Sequence, residues 1–268
     1  MNLNLSQLVI PLLLLILLVV AGVIFTRRRQ RSRALARPFP DAWVAIIRKN
    51  LPPYTKLTPE LQQQLQHYTQ EFLYDKSFEG CGGLQLTDEI KVTIAAQASL
   101  LLLNRDVRNY PKLFSVLVYP STYVAKNDLG QKSVRLGESW RTGAVVLAWD
   151  SVKHGAENFA DGRNLVIHEF AHQLDQEDGA GDGAPILAAG SCYAIWAQVL
   201  SREYERLYRR VEKGKKTVMD GYGATNSAEF FAVASETFFE KPQQLRRKHP
   251  ELFDALHKFY QIDPTAWK

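Results

Sequence analysis

Residues His168-Glu169-Phe170-Ala171-His172 constrain this chain's architecture more than any other stretch. They sit inside Asn164–Asp175, an apolar run that fits a helix. Positions four apart on a helix lie one turn above each other, so both imidazoles leave the same face. Leu165, Val166, Phe170, Ala171 and Leu174 make a core face beside them, which requires the helix to be packed rather than free. Two neutral imidazoles at this spacing can hold one zinc ion, and the glutamate between them can take a proton from a water on that ion. The pentapeptide therefore points to one Zn2+, to His168 and His172 as ligands and to Glu169 as a general base. A His pair on an amphipathic helix can also be a half-buried polar edge. The packed context favours the metal, as does the placement here of two of the six histidines. His67, His154, His249 and His257 lack partner spacing and read as surface or helix-end residues.

A second feature concerns the N-terminus. Leu8 to Phe25 is a charge-free apolar run of 18 residues. At a helical rise it spans about 27 Å, close to a bilayer's hydrocarbon thickness. Pro11 falls in the first turn, where its missing N–H costs little. No Lys or Arg precedes the run and no small-residue cleavage site closes it, which disfavours a signal peptide. Arg27-Arg28-Arg29 follows at once, and such residues stay on the cytoplasmic side. The expectation is a single-pass anchor in the cell (inner) membrane with the rest of the chain in the cytoplasm. The arginines can also touch anionic lipid.

The net charge of +5 suggests nucleic acid, but Arg27, Arg28, Arg29, Arg31, Arg33 and Arg37 account for it locally. The remainder is close to neutral, so no general basic surface and no direct nucleic-acid binding are expected. Cys81 and Cys192 exclude a disulfide framework and a Cys-ligated metal site. Cys81 falls in a turn and Cys192 reads as a core thiol in a helix; whether they pair is open.

The organisation follows as residues 1–26, the anchor; 27–40, a basic linker; and 41–268, one functional domain. Within it, 41–110 reads as helical, with segments 42–50, 58–75 and 88–103; Thr58 and Pro59 open the second. Residues 111–160 read as a sheet region, with strands at 113–119, 133–136 and 144–149 and a turn between Gly137 and Gly143. Residues 161–268 carry the site helix and further helices at 186–212, 228–239 and 243–259. Helices, a small sheet and helices again give an α+β class. The strand 144–149 either offers an edge to an extended peptide or lies buried within the sheet.

Tetrahedral zinc with two histidines and a water lacks one ligand. Asp175, seven residues after His168, shares its face, but a straight helix would have to reach around the ion. Asp178, at an offset of ten, matches proteases that break the helix with Gly at offset seven, where this chain has Asp175; Met219 keeps that alternative open. Glu229 opens a later helix, Asn226–Phe239, that could aim it at the His pair. It also sits where a capping-box glutamate would.

The segments Asn164–Asp175 and Tyr222–Glu236, together with Phe78-Glu79-Gly80 and Thr93–Ala98, resemble the MtfA family of zinc-dependent peptidases, named for titrating the glucose repressor Mlc. The resemblance covers about residues 40 to 265. That family is similar at its active site to the anthrax lethal factor peptidase domain, which implies a zincin-like, gluzincin-type fold. The resemblance implies zinc on His168, His172 and Glu229 with Glu169 as base. It implies Tyr222 as an oxyanion donor, and Asp175 as an acidic residue orienting a ligand histidine. Glu236, two turns after Glu229, could do likewise or be a solvated charge. The soluble members of the family lack the Leu8–Phe25 run, so its partners and cellular role do not transfer automatically. The expected activity is hydrolysis of a peptide or protein substrate. The alternative is a binding protein that captures a transcriptional repressor, its zinc site structural or secondary.

Overall fold

A computed structural model describes residues 5–105, 109–121, 123–126, 132–135, 137–140, 143–187 and 192–267, with the side chains of 5–15, 123–126, 132–135 and 137–140 excepted. The chain divides into two compact units, 1–39 and 40–268. The first contains one helix, α1 (Leu5–Leu35). It runs through most of the expected basic linker, because Arg27–Leu35 holds no Gly or Pro to stop it. Ile16 to Val20 and Val23 to Phe25 present exposed apolar side chains. Among the described residues no helix is long and apolar enough to cross a membrane. Residues 8–15 of the expected anchor have side chains outside the described set.

The second unit is α+β, as its pattern predicts. It opens with α2 (Asp41–Asn50) and α3 (Pro59–Asp75), the latter capped by the Thr58 hydroxyl on Leu61 N. A short strand β1 (Ser77–Gly80) leads into α4 (Asp88–Leu100), buried along nearly its whole length. Then come β2 (Ser115–Tyr119), β3 (Tyr123–Lys126), β4 (Lys132–Arg135), β5 (Gly137–Trp140) and β6 (Ala144–Ala148). The helices α5 (Trp149–Glu157), α6 (Leu165–Asp175), α7 (Tyr193–Glu212), α8 (Ser227–Glu240), α9 (Pro242–Lys248) and α10 (Pro250–Tyr260) complete it.

The main sheet has the order β1-β2-β6-β5, with β1, β2 and β6 parallel and β5 antiparallel to β6. β3 and β4 form a separate antiparallel pair. Residues 144–148 are therefore not an edge. All five are buried between β2 and β5, as a continuous apolar strand in a parallel sheet requires. The edge strands of this sheet are β1 and β5, and β5 occupies part of the segment expected as a turn.

Other differences have local causes. Trp149 opens α5 instead of extending the strand. The expected helix 243–259 is two helices, because Pro250 excludes His249 from the α region (φ −140°, ψ 60°). β1 lies within the part expected to be all helical. Cys192 is exposed at the N-cap position of α7, and both cysteines are free thiols. His249 is buried against Glu203, with Nδ1 and Oε2 2.6 Å apart, rather than at the surface. Arg202, Glu205, Arg206, Arg209, Arg210, Lys213 and Lys215 line one groove formed by α7 and the residues after it, a local excess of positive charge within a near-neutral sum.

Candidate metal centre

α6 begins where Asn164 turns its side chain onto Ile167 N (3.0 Å). Val166, Ile167, Phe170 and Ala171 are fully buried, and the Phe170 ring meets Tyr110 edge-on at 4.9 Å. This packing fixes the rotation of α6 and leaves His168 and His172 on the face toward α8, their rings 4.9 Å apart. α8 begins in the same way, with the Asn226 side chain accepting from Glu229 N at 2.9 Å. The Glu229 carboxylate does not return to close a capping box. Its Oε2 lies 3.0 Å from His168 Nε2 and 3.3 Å from His172 Nε2. Among the described residues, His168, His172 and Glu229 are the group whose ligand atoms, all within 4.8 Å of one another, could hold a metal ion.

The donor set fits a cation. Glu236, two turns after Glu229, places Oε2 2.9 Å from His168 Nδ1. Both nitrogens of His168 thus face carboxylates, which only accept when ionised. A neutral imidazole can donate from one nitrogen alone, so the lone pair on its other nitrogen would face a carboxylate lone pair unless a cation stood between them. Without an ion the ring meets this need by protonation. Burial opposes the charge on His168, but Glu236, Glu229 and Glu169 outweigh it and raise its pKa well above the ordinary value. Burial likewise pushes Glu229 up, but the two histidines outweigh it and hold the carboxyl well below the usual range. The Glu236–His168 contact is the kind of second hydrogen bond that fixes a ligand histidine's tautomer.

Glu169 is buried, and burial raises its pKa to about 7 against the opposing pull of the two histidines. Tyr222 stands on a 3₁₀ turn (Gly221–Ala224), half exposed, with its ring 6.0 Å from that of His168.

Asp175 is placed differently from the expectation. Both its oxygens accept from Gly183 N at 2.9 Å, and His172 acts on it only as a nearby charge. Gly183 has φ +86°, and a Cβ there would meet Ser227 O at 2.5 Å, so Asp175 seats a glycine loop against the start of α8. Asp178 accepts from Ala180 N and lies outside the metal group. Met219 is buried just before the turn that carries Tyr222.

Sequence reasoning missed three supporting residues, Glu240, Arg163 and Asp220. Glu240 Oε2 accepts from Gly162 N (2.7 Å) and Arg163 N (3.1 Å), while Glu236 Oε1 accepts from Asn164 N (2.7 Å). Arg163 in turn pairs with Asp220. The four-residue spacing of Glu236 and Glu240 signals a shared helix face, but not that the face would be buried.

A sequence family described as glucose-regulated metallo-peptidase M90 matches residues 25–261. The uncharacterized protein slr2042 of Synechocystis is 40% identical over 97% of this chain and 98% of its own length. Mlc titration factor A of Pectobacterium atrosepticum is 33% identical over 84% of this chain and 88% of its own, and that of Yersinia pestis 32% identical over 81% and 83%.

Proposed function

The chain belongs to the glucose-regulated metallopeptidase M90 family, and on that premise we propose that it is a zinc-dependent peptidase whose base is Glu169. The observation that carries this reading is the convergence of His168, His172 and Glu229 beside the buried Glu169. Those three residues would hold the zinc ion. Bound there, zinc supplies an acidified water and a Lewis acid for the scissile carbonyl. Glu169 takes the proton of the attacking water and delivers it to the leaving amine. Tyr222 donates its hydroxyl hydrogen to the oxygen that gains charge. Glu236 holds the His168 ring in the tautomer that leaves Nε2 free to ligate. β5, the last strand of the sheet, offers its outer edge to an extended peptide through main-chain hydrogen bonds. The test is zinc content and turnover of internally quenched peptides by the wild type and Glu169→Gln; zinc bound with hydrolysis abolished is expected, and retained turnover refutes the base.

The same reading places the protein at the cell membrane, with Leu8–Phe25 as a single-pass anchor and the catalytic unit in the cytoplasm. The charge-free run and the exposed apolar residues between Ile16 and Phe25 support it. Salt-resistant and alkali-resistant membrane fractionation of the full chain tests it; release into the soluble fraction would reject it.

The name of the Mlc titration factor relatives favours a second reading, in which the unit captures a transcriptional repressor. Capture that persists in Glu169→Gln would separate binding from hydrolysis.

A further inference from the structure

Tyr222 is carried by a turn that holds none of the three candidate metal ligands, so something else must set its place beside His168. Asp220 caps that turn, its Oδ1 accepting from Tyr222 N at 2.9 Å. The other oxygen, Oδ2, accepts from Arg163 Nε at 2.8 Å and lies 2.7 Å from Nη2. Arg163 is itself fixed through its main chain. Its N–H donates to Glu240 Oε2 (3.1 Å) and Asp161 Oδ1 (2.9 Å), and the next N–H, of Asn164, donates to Glu236 Oε1. Arg163 is thus the junction between the start of α6, the buried carboxylates of α8 and the turn bearing Tyr222. The turn's other side rests on apolar walls: a Cβ on Gly223 would come within 3.1 Å of Val233 and 3.2 Å of Leu207.

We propose that Arg163 and Asp220 are positioning residues that set the Tyr222 hydroxyl for the reacting carbonyl. This rests on the reading of Tyr222 as an oxyanion donor. The Arg163 side chain is 71% exposed while Asp220 is half-buried, and an ion pair open to solvent on the arginine side adds little to stability, so the role of Arg163 is geometric and its removal spares the fold. Displacing a reacting group by well under an ångström costs about tenfold in rate, within the hundredfold typical of a full ångström.

The test is a double-mutant cycle in the full chain, with kcat and KM measured on one internally quenched peptide and zinc content measured alongside. Tyr222→Phe should lower kcat about a hundredfold, as loss of an oxyanion donor does. Arg163→Gln should lower kcat about tenfold, leaving zinc content unchanged and KM within about twofold. In the Tyr222→Phe background, Arg163→Gln should cost nothing further, because there is no hydroxyl left to place. Asp220→Asn, whose side-chain oxygen can still accept from Tyr222 N, should lose less than Asp220→Ala. An undiminished kcat in Arg163→Gln, or the same tenfold loss with and without the Tyr222 hydroxyl, would overturn the proposal and leave the donor reading standing. A Tyr222→Phe enzyme with unchanged kcat would overturn both.

Discussion

Glu236 Oε2 sits 2.9 Å from Nδ1 of His168, while Oε1 of the same carboxylate accepts from Asn164 N at 2.7 Å. One side chain of α8 thus grips both a candidate ligand and the residue that caps the helix presenting it. Replacing Glu236 with Ala should lower zinc affinity by about 10–100-fold, the usual cost of removing a ligand's hydrogen-bond partner. Competition titration against a chromogenic chelator measures it; unchanged affinity would show that His168 keeps its orientation without Glu236.

Glu229→Ala should lose most bound zinc, because it removes the ligand supplied by the second helix. Zinc analysis after dialysis decides the matter. Undiminished zinc would require the third ligand to come from elsewhere.

Zinc should raise the melting temperature of the wild type and leave Glu229→Ala unmoved. An ion that binds only the folded state adds about 2.7 kcal/mol at a hundredfold excess over Kd. Thermal melts with zinc and with chelator read this directly; equal shifts in both proteins would place the ion at another site.

Glu240 predicts a pH effect on stability. Burial raises its pKa to about 8, against the opposing hydrogen bonds from Asn164 and Gly162, whereas an ordinary glutamate titrates near 4.5. The folded chain therefore holds a proton that the unfolded chain releases between those values. Its contribution is full below about 4.5 and is lost as pH rises to about 8. Glu240→Gln keeps an oxygen for Gly162 N and Arg163 N without the titration. The variant should match the wild type near pH 5 and exceed it near pH 9 in melting temperature. A constant difference between the two across that range would remove Glu240 as the source.

Gly183→Ala should destabilise by about 1–3 kcal/mol, since the residue has φ +86° and a methyl there would meet Ser227 O. The displaced start of α8 carries Glu229 two residues on, so zinc affinity should fall with stability. Denaturant unfolding and zinc titration measure both; lost stability with intact affinity would uncouple the loop from the ligand.

Much of the site was legible because its signals are local. The spacing of His168 and His172 marks one helix and its face, and Asn226 as a cap marks the start of the other. The partner of that face was not legible, because Glu229 at the third position of α8 fits a capping box as well as a ligand. Only the packing of α8 on α6 decides between them. Asp175 was assigned to the wrong neighbour for a related reason: helical phase puts it on the histidine side, but the glycine loop folds back and offers Gly183 N. In the fold, β1 and β5 have four residues each, too few for alternation to show. The break at Pro250 was readable from the residue type, since proline restricts the residue before it.

Glu236 and Glu240 hold the amides of residues 162–164 from α8 through three hydrogen bonds that involve none of the candidate ligand atoms. On the proposed reading, stripping the ion with a chelator should therefore leave the helical content in place, an outcome that far-ultraviolet circular dichroism reads.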